Sequence, residues 1–225
     1  MTERTIVIGD VHGCYFELMA LLEEIRVRDT DRLIFVGDLI AKGPSSREVL
    51  EFIRQRRKCE SVLGNHEHTL LRLCSGDEDV EIDRGHLRAA AALANELGLY
   101  MEQVSRFPPY LDLGDYLVVH AGIRPGLPPE KQSLEDLTEL RMLNGGRPGA
   151  GVAMPWYERY RGHKTVIFGH TVFATPLLKE NAIGIDTGCV YGGSLTAVVL
   201  PERRLVSMPA VKAYTSRGGA SWLRG

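Results

Sequence analysis

Five short apolar runs each close on a polar residue beside a glycine: TIVIGD at 5–10, RLIFVGD at 32–38, SVLGN at 61–65, YLVVHAG at 116–122 and TVIFGH at 165–170. Their β-branched content and lack of polar alternation predict strands buried on both faces. Between the first three runs lie stretches of helical spacing. Tyr15, Leu18, Met19, Leu22 and Ile25 mark one, and Val49, Leu50 and Ile53 mark the other, preceded by Ser45 and Glu48 at capping-box spacing. Strand, helix, strand, helix, strand calls for parallel pairing with right-handed crossovers, an α/β arrangement. After residue 110 the strand signals crowd together, with AIGIDTG at 182–188, SLTAVVL at 194–200 and RLVSMP at 204–209. These predict an antiparallel or mixed sheet built by the second half and packed against the first.

A chain of 225 residues can bury a sizeable core, and no linker-like tract divides it, so a single domain over 1–225 is expected. The net charge of -2 excludes a broadly basic nucleic-acid binder. The densest basic run, RQRRK at 54–58, reads as the solvated end of a helix. Cys14, Cys59, Cys74 and Cys189 form no C-x-x-C pair and read as reduced thiols. No apolar run reaches bilayer length and the N-terminus has no signal-peptide core, so a cytoplasmic protein is expected. Oligomeric state is not legible.

In open α/β sheets, ligands bind beyond the carboxyl ends of the strands, which is where the polar residues of the five runs gather. Asp10 and His12 lie two apart, and Asp38, Asn65, His120 and His170 occupy equivalent ends. Two carboxylates, one amide oxygen and three imidazoles form a mixed oxygen and nitrogen set suited to manganese, iron or zinc. Six ligands are too many for one catalytic ion with an open position and about right for two ions sharing a carboxylate. His68, His86 and His163 read as turn-formers or satisfied histidines and not as ligands.

GDVHG at 9–13, GDLIAKGP at 37–44, GNHE at 64–67, HAG at 120–122 and GH at 169–170 together resemble the calcineurin-like metallophosphoesterases. Within these they are similar to the phosphoprotein phosphatase superfamily, which includes bacterial serine/threonine phosphatases and symmetrical diadenosine tetraphosphate hydrolases. The resemblance implies two mixed β-sheets packed as a sandwich flanked by helices. It implies a first metal ion on Asp10 and His12, a second on Asn65, His120 and His170, and Asp38 bridging them, with manganese first and iron or zinc as alternatives. It makes His66 the proton donor and Asp38 part of the catalytic machinery. Two cations about 3.5–4 Å apart lower the pKa of a shared water, so a metal-bridging hydroxide is the expected nucleophile.

Members of that family present two arginines to phosphate, one inside GD-x-x-D-R-G, where the acid also holds the proton-donating histidine. Here Ala41 replaces the acid and Lys42 the arginine. Lysine acts as a point charge and lacks the planar two-pronged contact of arginine. With the acid absent, His66 is expected to be less firmly oriented. Arg141, read as helical in SLEDLTELRML, is the expected second phosphate cation, with Arg147 in the NGGRPGAG loop as competitor, and Asn65 also faces the phosphate. The loop at 144–151 reads as a plain connection, and Tyr191 or Trp156 as core residues that could otherwise stack a base.

Three functions are carried. The first is a dinuclear hydrolase of dinucleoside polyphosphates, favoured because a loosely held acid matters less for a good leaving group. The second is a serine/threonine phosphoprotein phosphatase, and the third a non-catalytic phosphate-binding protein. The expected partner is a phosphorylated small molecule or phosphoprotein, with neither membrane nor bulk nucleic acid.

Overall fold

The computed structural model describes residues 4–144 and 152–216. Its first half alternates β1 (Thr5–Ile8), α1 (Tyr15–Ile25), β2 (Arg32–Phe35), α2 (Ser46–Gln55) and β3 (Cys59–Ser61), then runs through α3 (Asn65–Cys74), α4 (Arg84–Leu93) and α5 (Leu97–Ser105). The three strands pair in parallel, β1 on β2 and β2 on β3, as the alternation requires. The helices lie on one face of this sheet. Leu18, Leu21, Leu22 and Ile25 of α1 and Val49, Leu50 and Ile53 of α2 recur at helical spacing and join the apolar cluster that also holds Ile6, Ile8, Leu33 and Phe35.

The second half contains β4 (Tyr110–Asp112), β5 (Tyr116–Val119), α6 (Leu134–Glu139), β6 (Met142–Leu143), β7 (Met154–Pro155), α7 (Trp156–Arg159), β8 (Thr165–Phe168), β9 (Leu177–Leu178), β10 (Ala182–Gly184), β11 (Asp186–Thr187), β12 (Ser194–Leu200) and β13 (Arg204–Pro209). A second, mixed sheet has the order β4-β5-β8-β10-β9, with β5, β8 and β10 parallel. Val7, Ile34 and Val36 from the first sheet meet Val118, Ile167 and Ile183 from the second, which makes the two sheets a sandwich. Leu137, Leu140 and Trp156 close the outer face of the second sheet. Trp156 is therefore core, fully buried, with its indole N–H donating to the Ala121 carbonyl at 3.1 Å.

Two expectations are corrected. The late strands do not all belong to the second sheet: β12 pairs antiparallel with β1, Ile8 opposite Ala197, and β13 pairs with β12. The reason lies in the side chains. Leu195, Ala197 and Val199 face the helix layer while Val198 and Leu200 face the other sheet, so β12 is apolar on both sides and needs a central place. AIGIDTG likewise divides, β10 serving the second sheet and β11 the first. Secondly, Ser45 precedes α2 but its side chain makes no cap hydrogen bond; instead the Ser46 hydroxyl accepts the Ala41 N–H at 3.1 Å, tying the helix to the loop after β2.

Of the basic run, Arg54 and Gln55 close α2, with Arg54 paired to Glu51, and residues 56–58 form the turn that follows. All four cysteines are free. Among the described residues no helix is long and apolar enough to cross a membrane.

Candidate metal centre

The loops that follow β1, β2 and β8 turn sharply at the residues with chemistry on them. His12 (φ 46°), Asp38 (φ 50°), Ala41 (φ 67°), Lys42 (φ 58°) and His170 (φ 59°) all adopt left-handed backbone conformations. Side chains other than glycine rarely adopt that region, and each such residue costs on the order of 1 kcal/mol or more, so something must hold the loops. Glu67 holds the second. Its fully buried carboxylate accepts the backbone N–H groups of Asp38 (2.8 Å), Leu39 (2.8 Å), Ile40 (3.1 Å) and Gly64 (3.2 Å). Two glycines let the strand ends approach: a Cβ at Gly37 would sit 2.7 Å from the backbone of Gly64.

Asp38 is the centre of what these loops bring together. Its Oδ2 lies 3.3 Å from His12 Nε2, and its Oδ1 lies 3.3 Å from His120 Nε2. Both imidazoles have their protons assigned by the backbone. His12 Nδ1 is 2.9 Å from the Ile40 carbonyl and His120 Nδ1 is 2.7 Å from the Val36 carbonyl, and a carbonyl can only accept. Each Nδ1 therefore carries the proton and each Nε2 presents a lone pair. Burial lowers the pKa of both, as it does for His170, so the rings are neutral. Lone pairs thus face carboxylate oxygens from two sides in a buried pocket, an arrangement suited to a cation.

His170 completes one set. Its Nε2 is buried with no hydrogen-bond partner, and with Asp38 and His120 it forms a triplet of donor atoms all within 4.8 Å of one another. His12, Asp38 and His66 form a second such triplet. Asn65 Oδ1 lies against the first, 3.0 Å from His120 Nε2 and 3.1 Å from His170 Nδ1. Turned over, its amide nitrogen would donate to both rings and to the Asp38 carboxylate; with oxygen inward it would be a ligand for a cation there.

Asp10 stands in neither triplet. Its carboxylate accepts the His170 backbone N–H at 3.1 and 3.2 Å, and burial with Asp186 and Asp38 nearby pushes its pKa well above the usual range.

The cations differ in position. Lys42 Nζ reaches 3.0 Å from His12 Nε2, taking the lone pair that a metal would take, and sits 5.5 Å from the centre of the Tyr191 ring. Burial alone would lower its pKa, but Asp38 and Tyr191 raise it, so Lys42 stays charged. Arg141 is exposed and donates to the His170 carbonyl at 3.2 Å. It was expected on a helix, yet α6 stops at Glu139 because the chain turns to extended backbone at Leu140. Arg147 and all but Asn144 of the 144–151 loop lie outside the described residues.

His66 heads α3 and is buried, its pKa pushed down to about 4 by burial. Its Nδ1 lies 2.9 Å from Nε2 of His86, and Asp83 Oδ1 lies 2.8 Å from His86 Nδ1. His86, read as a satisfied histidine and not a ligand, touches His66 directly and stands in neither donor triplet. No motif spacing announces this contact, since twenty residues separate the two; the only sequence signal is Asp83 at N-cap spacing before His86. His163 is exposed on the surface. Glu67 was legible as part of GNHE, but not its hold on four backbone groups.

The donor set fits divalent metal, and comparisons with known proteins agree. Residues 3–174 match the model of the calcineurin-like phosphoesterase family. A relative from Anoxybacillus flavithermus, the asymmetrical bis(5'-nucleosyl)-tetraphosphatase PrpE, is 32% identical over 93% of this chain and 96% of its own length. The crystal structure of a candidate diadenosine tetraphosphatase superposes with a TM-score of 0.77 at 32% identity, covering 93% of this chain and 95% of that one. A Saccharomyces cerevisiae protein serine/threonine phosphatase shares the fold, with a TM-score of 0.65 at 17% identity over 93% of this chain and 81% of its own. The relatives carry the asymmetrical designation, where the sequence reading named the symmetrical branch. On this match the chain belongs to the calcineurin-like phosphoesterases and is a hydrolase of that metal-dependent family.

Proposed function

We propose that this hydrolase carries two divalent ions and cuts the phosphoanhydride chain of dinucleoside polyphosphates. The observation that carries the two-ion reading is Asp38, whose two oxygens each face a neutral imidazole with its lone pair turned inward. His12 and Asp38 would hold one ion, with Asp10 alongside; Asp38, Asn65, His120 and His170 would hold the other. The oxygen and nitrogen donors suit manganese, with iron and zinc as alternatives. When bound, the ions activate the attacking water and neutralise charge on the phosphate.

The chain's own residues do the rest. Lys42, displaced from His12, and Arg141, beside His170, balance the phosphate oxygens, and the Asn65 amide orients them. His66 presents Nε2 toward the pocket, since its Nδ1–H is taken by His86, and the proton delivered from Nε2 to the leaving oxygen is the second proton of its imidazolium form. The substrate class is supported by the relatives' name. The four free thiols support a cytoplasmic setting. The serine/threonine phosphatase alternative rests on shared fold alone.

Manganese-reconstituted protein assayed side by side on diadenosine tetraphosphate, a nucleoside triphosphate, a phosphopeptide and an aryl phosphate tests the reading. The expected outcome is cleavage of the dinucleotide, with adenosine triphosphate and monophosphate as products if the cut is asymmetrical and two diphosphates if it is symmetrical. Turnover of the phosphopeptide with the dinucleotide intact would overturn it.

A further inference from the structure

The side chain of Ala41 has no hydrogen-bonding group to hold His66, yet His66 is anchored. The anchor comes from the first turn of α4. Asp83 is the N-cap of that ten-residue helix, and its Oδ1 accepts the N–H groups of Gly85 (2.8 Å) and His86 (3.0 Å), which fixes the carboxylate independently of any histidine proton. The same oxygen lies 2.8 Å from His86 Nδ1. The backbone N–H of Asp83 also approaches that nitrogen, at 3.2 Å. A carboxylate oxygen can only accept, and at the shorter distance it decides the tautomer: His86 Nδ1 carries the proton and Nε2 the lone pair. That lone pair then accepts from His66 Nδ1–H at 2.9 Å. The two rings are within 17° of parallel with centroids 4.7 Å apart, and both histidines are buried. Every proton in the series points one way, from His66 to His86 to Asp83.

The packing shows why this arrangement and a small residue at 41 go together. A Cβ placed on Gly85 would meet the Lys42 backbone nitrogen at 2.9 Å, Asp83 Oδ1 at 3.0 Å and the Ala41 methyl at 3.5 Å. The start of α4 lies directly on residues 41 and 42. A longer side chain at 41 would compete for that space with the turn that presents His86.

We propose that Asp83 and His86 are positioning residues for His66, a two-residue relay that accepts its Nδ1–H and fixes the ring orientation so that Nε2 faces the leaving oxygen. The proposal rests on the proton-donor reading of His66 given above. Partners that orient a working histidine from behind contribute about 10–100-fold when removed, by analogy with the residues that orient metal-bound histidines. A carboxylate acting through a neutral ring is a weaker hold than direct contact, so losses toward the lower end are expected for Asp83.

Three variants separate positioning from structure. His86→Leu removes the acceptor, His86→Gln keeps an acceptor at the Nε2 position, and Asp83→Asn keeps a good N-cap while removing the charge. The first readout needs neither metal nor turnover. In protein labelled with nitrogen-15 histidine, the His66 Nδ1–H resonance should be exchange-protected and shifted downfield in the parent and His86→Gln, and absent in His86→Leu. The second is kinetic, on aryl phosphates of rising leaving-group pKa. His86→Leu should lower kcat by about 10–100-fold for the poorest leaving group and by less for the best, with KM within about twofold, and His86→Gln should recover most of the loss. Asp83→Asn should fall between, at unchanged melting temperature. If the histidine resonance ignores all three variants, or if kcat falls equally for every leaving group with KM rising alongside, the relay is wrong. If dinucleoside polyphosphates prove not to be substrates while the aryl series behaves as described, the substrate reading fails and the relay stands.

Discussion

Replacing Glu67 with glutamine exchanges one carboxylate oxygen for an NH2 group at almost constant shape. In the parent, Oε2 accepts from Asp38 and Gly64, and Oε1 from Leu39 and Ile40. Whichever way the amide turns, two backbone N–H groups then face another donor inside a fully buried site. Each unsatisfied buried donor costs about 1–3 kcal/mol, or about 2–6 kcal/mol for the pair. Part of that is offset, because burial and the neighbouring Asp38 push the Glu67 carboxyl up to about 8, and glutamine has no charge to bury. A net loss in the lower half of the range, about 2–3 kcal/mol, is expected. For a chain of this length that lowers Tm by about 4–12 °C. Thermal unfolding of metal-free Glu67→Gln, followed by circular dichroism, measures the shift, and manganese affinity should fall with it because the loop carrying Asp38 is loosened. A melting temperature within about 2 °C of the parent, with unchanged metal affinity, would refute the role of Glu67 as the anchor of that loop.

Lys42→Arg should preserve or raise turnover, whereas Lys42→Met should lower kcat/KM on the order of a hundredfold as the phosphate charge loses a partner; a strong loss with arginine would contradict the phosphate role. Asp31 is stabilising through Arg4, whose Nε donates at 3.1 Å, and through the Arg28 N–H at 2.7 Å. Burial alone would raise its pKa, but these donors hold it below the ordinary carboxylate value. Its contribution is therefore present above the unfolded value of about 3.9 and disappears as pH falls through the folded one. Asp31→Asn should cost on the order of 1 kcal/mol at neutral pH, a cost that shrinks below the unfolded value and vanishes once the folded carboxylate is protonated, in urea unfolding at several pH values. A gap that persists in acid counts against the ion pair as its source. Gly122→Ala should destabilise by about 1–3 kcal/mol, because the added carbon would lie 2.5 Å from Trp156 Nε1 and 2.7 Å from the Leu140 carbonyl; unchanged stability would show that this corner can yield.

The strand ends were legible because buried parallel strands must be apolar along their length, so a lone Asp, Asn or His beside glycine stands out at their termini. Asp38, His120 and His170 were found that way and do converge. Asp10 was read by the same signal and lies beside them, accepting the His170 backbone N–H. Sheet membership was not legible: β12 could pair with any apolar neighbour, and which one it meets depends on chain closure over nearly two hundred residues, a non-local matter. The contact of His86 with His66 was not legible because it comes from helix packing across positions 41 and 85, where two small residues leave room and no chemistry shows in either letter.

The shared carboxylate is the heart of the account, and electron paramagnetic resonance of the protein titrated with manganese tests it most directly. Two equivalents should bind, with the signal of the second broadened and weakened by exchange coupling through Asp38, and Asp38→Asn should leave any bound manganese uncoupled. A single equivalent, or two that never couple in the parent protein, would contradict the reading of Asp38 as the bridge.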